Sequence, residues 1–122
     1  MKFYKCDICG KIIGMVKETP VETICCDKPM RQLIAGETDG AKEKHVPVMV
    51  SHGQEITVQV GSIAHPMTKE HYIEWIALET ECGNQRKVLH PGDVPSATFA
   101  LTPGDKVKRV FAYCNLHDLW QG

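Results

Sequence analysis

Read for its apolar and polar positions, the chain from residue 46 onward breaks into short extended runs rather than helical stripes. Glu55-Ile56-Thr57-Val58-Gln59-Val60 alternates with period two, the signature of a strand with one face buried. Tyr72-Ile73-Glu74-Trp75-Ile76-Ala77-Leu78-Glu79 is more continuously apolar, and its β-branched and aromatic side chains favour strand over helix. Val46–Ser51, Gln85–Leu89, Ala97–Leu101 and Val107–Tyr113 complete the predicted strands. Between them stand His52-Gly53, Gly61-Ser62, Cys82-Gly83-Asn84, Pro91-Gly92-Asp93 and Pro103-Gly104-Asp105, which supply turn geometry. No segment carries a 3.6-residue apolar stripe. The pattern predicts a mainly β chain whose body is an antiparallel β-sandwich of immunoglobulin-like size.

Residues 37–42, Glu37-Thr38-Asp39-Gly40-Ala41-Lys42, are polar and turn-rich and read as a linker. A small domain of residues 1–36 then precedes the sandwich domain of residues 37–122, a division that a 122-residue chain can support. The net charge of -1, with 24% charged residues, provides no basic stripe, so nucleic acid is not an expected partner. No apolar run approaches the roughly 18 residues of a spanning helix, and Met1-Lys2-Phe3-Tyr4-Lys5-Cys6 lacks the apolar core of a secretory signal. The expectation is a cytoplasmic protein with no membrane partner. In a reducing compartment its six cysteines read as metal ligands ahead of disulfides.

Four of those cysteines fall in the first 26 residues: Cys6-Asp7-Ile8-Cys9, then the adjacent pair Cys25-Cys26. A piece this small cannot bury enough apolar surface to offset its chain entropy, and four metal–thiolate bonds would close the difference. Gly10 lets the first loop turn back, so that backbone N–H groups can point at the sulfurs. Neighbouring side chains in extended backbone alternate in direction, so Cys25 and Cys26 can share an ion only if the chain bends there. Tetrahedral sulfur suits zinc or iron alike, and a knot of two disulfides is the alternative.

A second donor set gathers around the C-terminal Tyr113-Cys114-Asn115-Leu116-His117, where a thiol and an imidazole lie in one short turn. His45, His65 and His71 are the residues placed to complete it. His45 precedes the first sandwich strand, His65 is held extended by Pro66, His71 opens the third strand and Cys114 ends the last. One rim of the sandwich can therefore collect four imidazoles and one thiolate, one ligand short of an octahedron, which leaves a position for a small ligand. Imidazole suits several transition metals; five donors including a soft sulfur argue for iron that changes oxidation state.

Taken in order, Cys6-x-x-Cys9, Cys25-Cys26, Glu43-Lys44-His45-Val46-Pro47, His65-Pro66-Met67, His71 and Cys114-Asn115-Leu116-His117 resemble the desulfoferrodoxins, the two-iron class of superoxide reductase. The resemblance implies a small rubredoxin-like, desulforedoxin-type N-terminal domain whose iron is held by Cys6, Cys9, Cys25 and Cys26, zinc being possible there. It implies a second, catalytic, non-haem iron held by His45, His65, His71 and His117 with Cys114 as axial thiolate. Lys44 would be the catalytic lysine, and Glu43 a mobile acid serving as sixth ligand in the oxidised state. The expected reaction is one-electron reduction of superoxide to hydrogen peroxide without oxygen evolution, with rubredoxin as electron donor and a homodimer as the assembly. Asp118 departs from the pattern, because many relatives carry glycine there, which bears on the turn after His117.

Other readings of the same residues are an electron-transfer or zinc-binding module whose histidines store metal, and a dismutase that also oxidises superoxide. His52 and His90 read as exposed loop residues, and Cys82 as a free thiol in a hairpin turn. Met15, Met30, Met49, Met67 and Trp75 read as packing, while Trp120 either shields the metal rim or simply packs.

Overall fold

The computed structural model describes all residues from Met1 to Gly122 and divides into two compact units, Met1–Ile34 and Ala35–Gly122. In the first unit β1 (Lys2–Lys5) pairs antiparallel with β2 (Ile12–Met15) and β5 (Arg31–Gln32), while β3 (Ile24–Cys25) and β4 (Lys28–Pro29) form a separate hairpin. Its apolar interior is slight: Phe3, Met30 and Leu33 are the buried residues beside Cys6, which agrees with the need for a non-hydrophobic staple.

The second unit opens with a one-turn helix, α1 (Lys42–His45), followed by β6 (Pro47–His52), β7 (Glu55–Val60), β8 (Ile73–Thr80), β9 (Gly83–Val88), β10 (Ser96–Ala100), β11 (Val107–Cys114) and β12 (Asp118–Gln121). One sheet has the order β10-β7-β6 and the other β12-β11-β8-β9, every pairing antiparallel. The predicted alternation on β7 is realised, with Ile56, Val58 and Val60 buried. They meet Phe99 of β10 and Ile76, Leu78, Val110, Ala112 and Cys114 of the other sheet in one core. Each of the valine, leucine, isoleucine and phenylalanine side chains among them stabilises the fold by roughly 1.5–3 kcal/mol through the apolar surface it removes from water.

Three features depart from the sequence reading. The third hairpin turn sits at Glu81–Cys82, because Thr80 pairs with Gly83, so Gly83 and Asn84 belong to β9 rather than to the turn. The strand β12 was not among the predicted elements: only four residues long, it forms because Leu119 and Trp120 are both buried against its pairing with β11. The stretch read as a linker is tied to the sandwich at and just before its start, and ends in a helical turn. Gly36 N–H donates to the carbonyl of Leu119, the Thr38 hydroxyl donates to that of His117, and α1 begins at Lys42. Local polarity marked these residues as loop, and long-range partners fixed them in place.

Candidate metal centres

In the first unit the chain after β1 folds back on itself, with Gly10 N–H donating to the Cys6 carbonyl and Cys9 N–H directed at the Cys6 sulfur at 3.5 Å. The β3–β4 hairpin carries the other two thiols on a two-residue turn whose central residues, Cys26 and Asp27, have φ of 53° and 61°. Positive φ at both centres is the mark of the tight hairpin turn that matches strand twist. This is the bend the adjacent pair requires. It brings Cys9 and Cys25 sulfurs to 3.6 Å, Cys25 and Cys26 sulfurs to 4.0 Å, and all four within 4.8 Å of one another.

All four are free thiols, so the disulfide alternative is not what the chain adopts. Sulfurs at 2.3 Å from a tetrahedral cation stand roughly 3.8 Å apart, which the observed separations match. The thiols also disagree about their protons. The Cys9 N–H pulls Cys6 down to about 6, whereas Cys25, surrounded by the sulfurs of Cys9, Cys6 and Cys26, is pushed up to about 12. Only a bound cation would let four thiolates share so small a volume.

The second donor set lies at one end of the sandwich and draws on four separate segments. His45 is the last residue of α1, His65 follows the turn after β7, His71 lies just before β8, and Cys114 and His117 flank the turn from β11 to β12. A register shift between Tyr113 and Cys114 against β8 re-aims the Cys114 side chain at the strand end. The Asn115 side chain then joins two of the segments, accepting from Tyr72 N–H at 2.9 Å and donating to the Glu70 carbonyl at 3.0 Å, which holds His71 between them.

The four imidazoles form a closed ring. Centroid separations are 4.6 Å for His45–His65, 4.6 Å for His65–His71, 5.2 Å for His71–His117 and 4.7 Å for His45–His117, all edge to face. His45 Nδ1 donates to the Ala41 carbonyl and His65 Nδ1 to the Pro66 carbonyl, each at 2.7 Å, which fixes both tautomers with the Nε2 lone pair free. Those two Nε2 atoms face each other at 3.2 Å with no proton to share. His71 Nε2 is buried without a partner. His117 turns its Nδ1 inward, 3.0 Å from His45 Nε2 and 3.7 Å from the Cys114 sulfur. The donor atoms of His45, His65, His71 and Cys114 lie within 4.8 Å of one another. Converging lone pairs and an orphaned buried nitrogen are what a cation would satisfy, so the residues fit a metal ion.

Protonation agrees with that reading. Burial pushes His65 down to about 4 and lowers His45 and His71 as well, so at neutral pH these imidazoles are in the neutral, ligating form. Burial raises the Cys114 thiol, opposed by N–H groups of Leu116 and His117 directed at its sulfur. Lys44 is exposed next to His45, and after burial its positive charge is one of the smaller influences lowering both His45 and His71. Glu43 is exposed on the same turn.

Comparison with known proteins decides the family. Residues 37–122 match Desulfoferrodoxin and residues 1–33 match Desulfoferrodoxin, N-terminal domain. The chain belongs to the desulfoferrodoxin family. It is 46% identical over 121 residues to a desulfoferrodoxin homolog of Archaeoglobus fulgidus, covering 99% of this chain and 95% of that one. Its fold resembles the superoxide reductase of Treponema pallidum, with a TM-score of 0.83, 42% identity and 98% of each chain covered. A superoxide reductase from Giardia intestinalis aligns with 66% of this chain and 96% of its own, at a TM-score of 0.56 and 37% identity.

The structure gathers the donor atoms of Cys6, Cys9, Cys25 and Cys26 in one cluster and those of His45, His65, His71 and Cys114 in another, sets His117 beside the second, 3.0 Å from His45 Nε2, and leaves His52, His90 and Cys82 exposed. Sequence reasoning did not foresee the clamp of the Asn115 side chain. Nor did it foresee the buried Gly61 beneath α1, or Gly40, where a β-carbon would come within 3.1 Å of both His45 and Trp120. In the sequence Gly40 marked only a polar stretch and Gly61 only a turn.

Proposed function

We propose that the chain is a superoxide reductase, taking superoxide to hydrogen peroxide by uptake of one electron and two protons. The observation that carries the reading is the convergence of the His45, His65, His71 and Cys114 donor atoms within 4.8 Å of one another, with His117 beside them and His71 Nε2 buried and unpartnered. His45, His65, His71, His117 and Cys114 would hold a non-haem iron, and Cys6, Cys9, Cys25 and Cys26 a second iron, with zinc the competitor at the all-sulfur site. Iron bound there would supply the single electron that the reduction needs.

The protein's own part is to deliver superoxide and its protons. The Lys44 ammonium, solvated yet close enough to act on His45 and His71, draws superoxide toward the ring and can pass a proton through water. Glu43, two residues before His45, is the candidate sixth donor in the oxidised state. Leu116 and His117 N–H groups spread the charge of the Cys114 thiolate. We assign catalysis to residues 37–122 and an accessory electron-transfer role to residues 1–36. This division is supported by the Giardia intestinalis protein, which aligns over nearly its whole length with about two thirds of this chain. Rubredoxin is the proposed electron donor, a homodimer the proposed assembly and the cytoplasm the proposed location; no helix here is long and apolar enough to cross a membrane.

The test is product stoichiometry with excess reductant. A reductase gives about one peroxide per superoxide with no oxygen; a dismutase gives half that with oxygen evolved; a metal-storage module gives neither. Metal analysis of protein purified without added metal distinguishes iron from zinc at each centre.

A further inference from the structure

We propose that Gly61 is a positioning residue for Lys44, a role that rests on the reading of Lys44 as the residue that brings in superoxide. Gly61 follows β7 with φ of 84° and is buried under α1. Its N–H donates to the Val46 carbonyl at 3.2 Å, and two residues on, Ile63 N–H donates to the Glu43 carbonyl at 2.9 Å. The Ser62 hydroxyl reaches the same carbonyl at 3.3 Å. Three hydrogen bonds thus fasten the turn at residues 61–63 to the one-turn helix that carries Glu43, Lys44 and His45.

That fastening depends on the missing side chain. A β-carbon at Gly61 would lie 2.3 Å from the Ile63 carbonyl oxygen, 2.7 Å from that of Glu43 and 2.7 Å from Lys44 Cα. All three are backbone atoms, which cannot swing aside as a flexible side chain would. The positive φ adds a second objection to any other residue. A methyl group must therefore lift the turn bearing Lys44 or break its hydrogen bonds to residues 61–63. Lys42, Glu43 and Lys44 are exposed and only His45 of this four-residue helix is buried, so the placement of Lys44 depends on His45 and on the turn beneath. The same turn continues to His65, whose N–H donates to the Val60 carbonyl at 3.3 Å, so the lysine and the ligand segment share one anchor.

The experiment is a double-mutant cycle on the iron-loaded full chain with G61A and K44A, reading the second-order rate with superoxide across ionic strength. Azide binding to the ferric form, followed by visible absorption, is the second readout, since any small anion should feel the same ammonium field. With Lys44 present, G61A should slow the reaction on the order of tenfold or more, flatten its salt dependence and weaken azide binding. With Lys44 removed, G61A should change all three by clearly less than it does with Lys44 present, the remainder being the strain that reaches the His45 and His65 segments. Equal losses in both backgrounds would overturn the inference and leave Gly61 a residue of stability alone. Should K44A by itself change neither rate nor salt dependence, the lysine's role falls, and the inference with it. If G61A does not fold, S62A keeps the backbone and removes one of the three hydrogen bonds. A smaller loss that vanishes in K44A supports the proposal, and one that persists refutes it.

Discussion

The imidazole of His45 and the indole of Trp120 are stacked, with ring centroids 4.7 Å apart and planes inclined by 27°. The same indole donates from Nε1 to the carbonyl of His117 at 2.9 Å, so one buried side chain supports two members of the imidazole ring. Trp120→Phe keeps most of the stacked face and removes the hydrogen bond, and should destabilise the protein by about 1 kcal/mol. Trp120→Ala removes both and should cost about 3–5 kcal/mol, with the absorption of the iron-loaded site shifted or lost. Denaturant unfolding of both variants measures this; a Trp120→Phe protein as stable as the parent would show that the tryptophan only fills space.

The two centres should be separable by single substitutions. Cys114→Ser removes the sulfur facing His117 and should abolish the thiolate-to-iron absorption of the histidine-rich site, leaving the all-sulfur chromophore. Cys9→Ser takes away the sulfur 3.6 Å from Cys25 and should do the reverse, with peroxide formation retained. Loss of both absorptions in either variant would mean that the centres do not fold independently.

Acid sensitivity follows from His65. In the folded protein without a cation it takes up a proton only near pH 4, against 6.5 ordinarily, because burial opposes the charge. Between those values the unfolded chain binds more protons, so stability rises with pH across that window. The contribution is complete above about 6.5 and lost as pH falls toward 4, at most roughly 3 kcal/mol. Thermal midpoints of chelator-treated protein from pH 7 to 4 should fall accordingly, and His65→Gln should flatten the slope without removing it, since His45 and His71 are lowered too. An unchanged slope in the variant would show that His65 is not the group responsible.

Asp118 occupies a left-handed backbone position, φ 56°, directly after His117. Its carboxylate accepts a long hydrogen bond from the Tyr113 hydroxyl at 3.4 Å. Asp118→Gly should therefore raise stability by up to about 1 kcal/mol while leaving the absorption of both centres in place. A lower thermal midpoint would show that the carboxylate holds the β11–β12 turn.

Several of these relationships were legible before any coordinates. Period-two alternation in Glu55–Val60 fixed which face of β7 turns inward, because the pleat leaves no choice once one side is apolar. The adjacency of Cys25 and Cys26 demanded a bend, and the chain supplies it with positive φ at Cys26 and Asp27. The ligand residues stood out because histidine and cysteine have little reason to sit at strand ends in such numbers.

What the sequence by itself determined was the donor chemistry, the strand pattern of the body and the small all-thiol piece before it. Each of these is written in residue type and local spacing. Only the tertiary structure decided that Asn115 would clamp the His71 segment, that Trp120 would lie on His45, that the polar stretch around Thr38 would be tied to His117, and that Gly61 would seat the Lys44 turn. Those contacts join residues from 17 to 79 positions apart, counting from Lys44 and Gly61 at the near end, with Thr38 and His117 at the far one. No local propensity reports them. They arise when two sheets close on one core and their loops must share the same end.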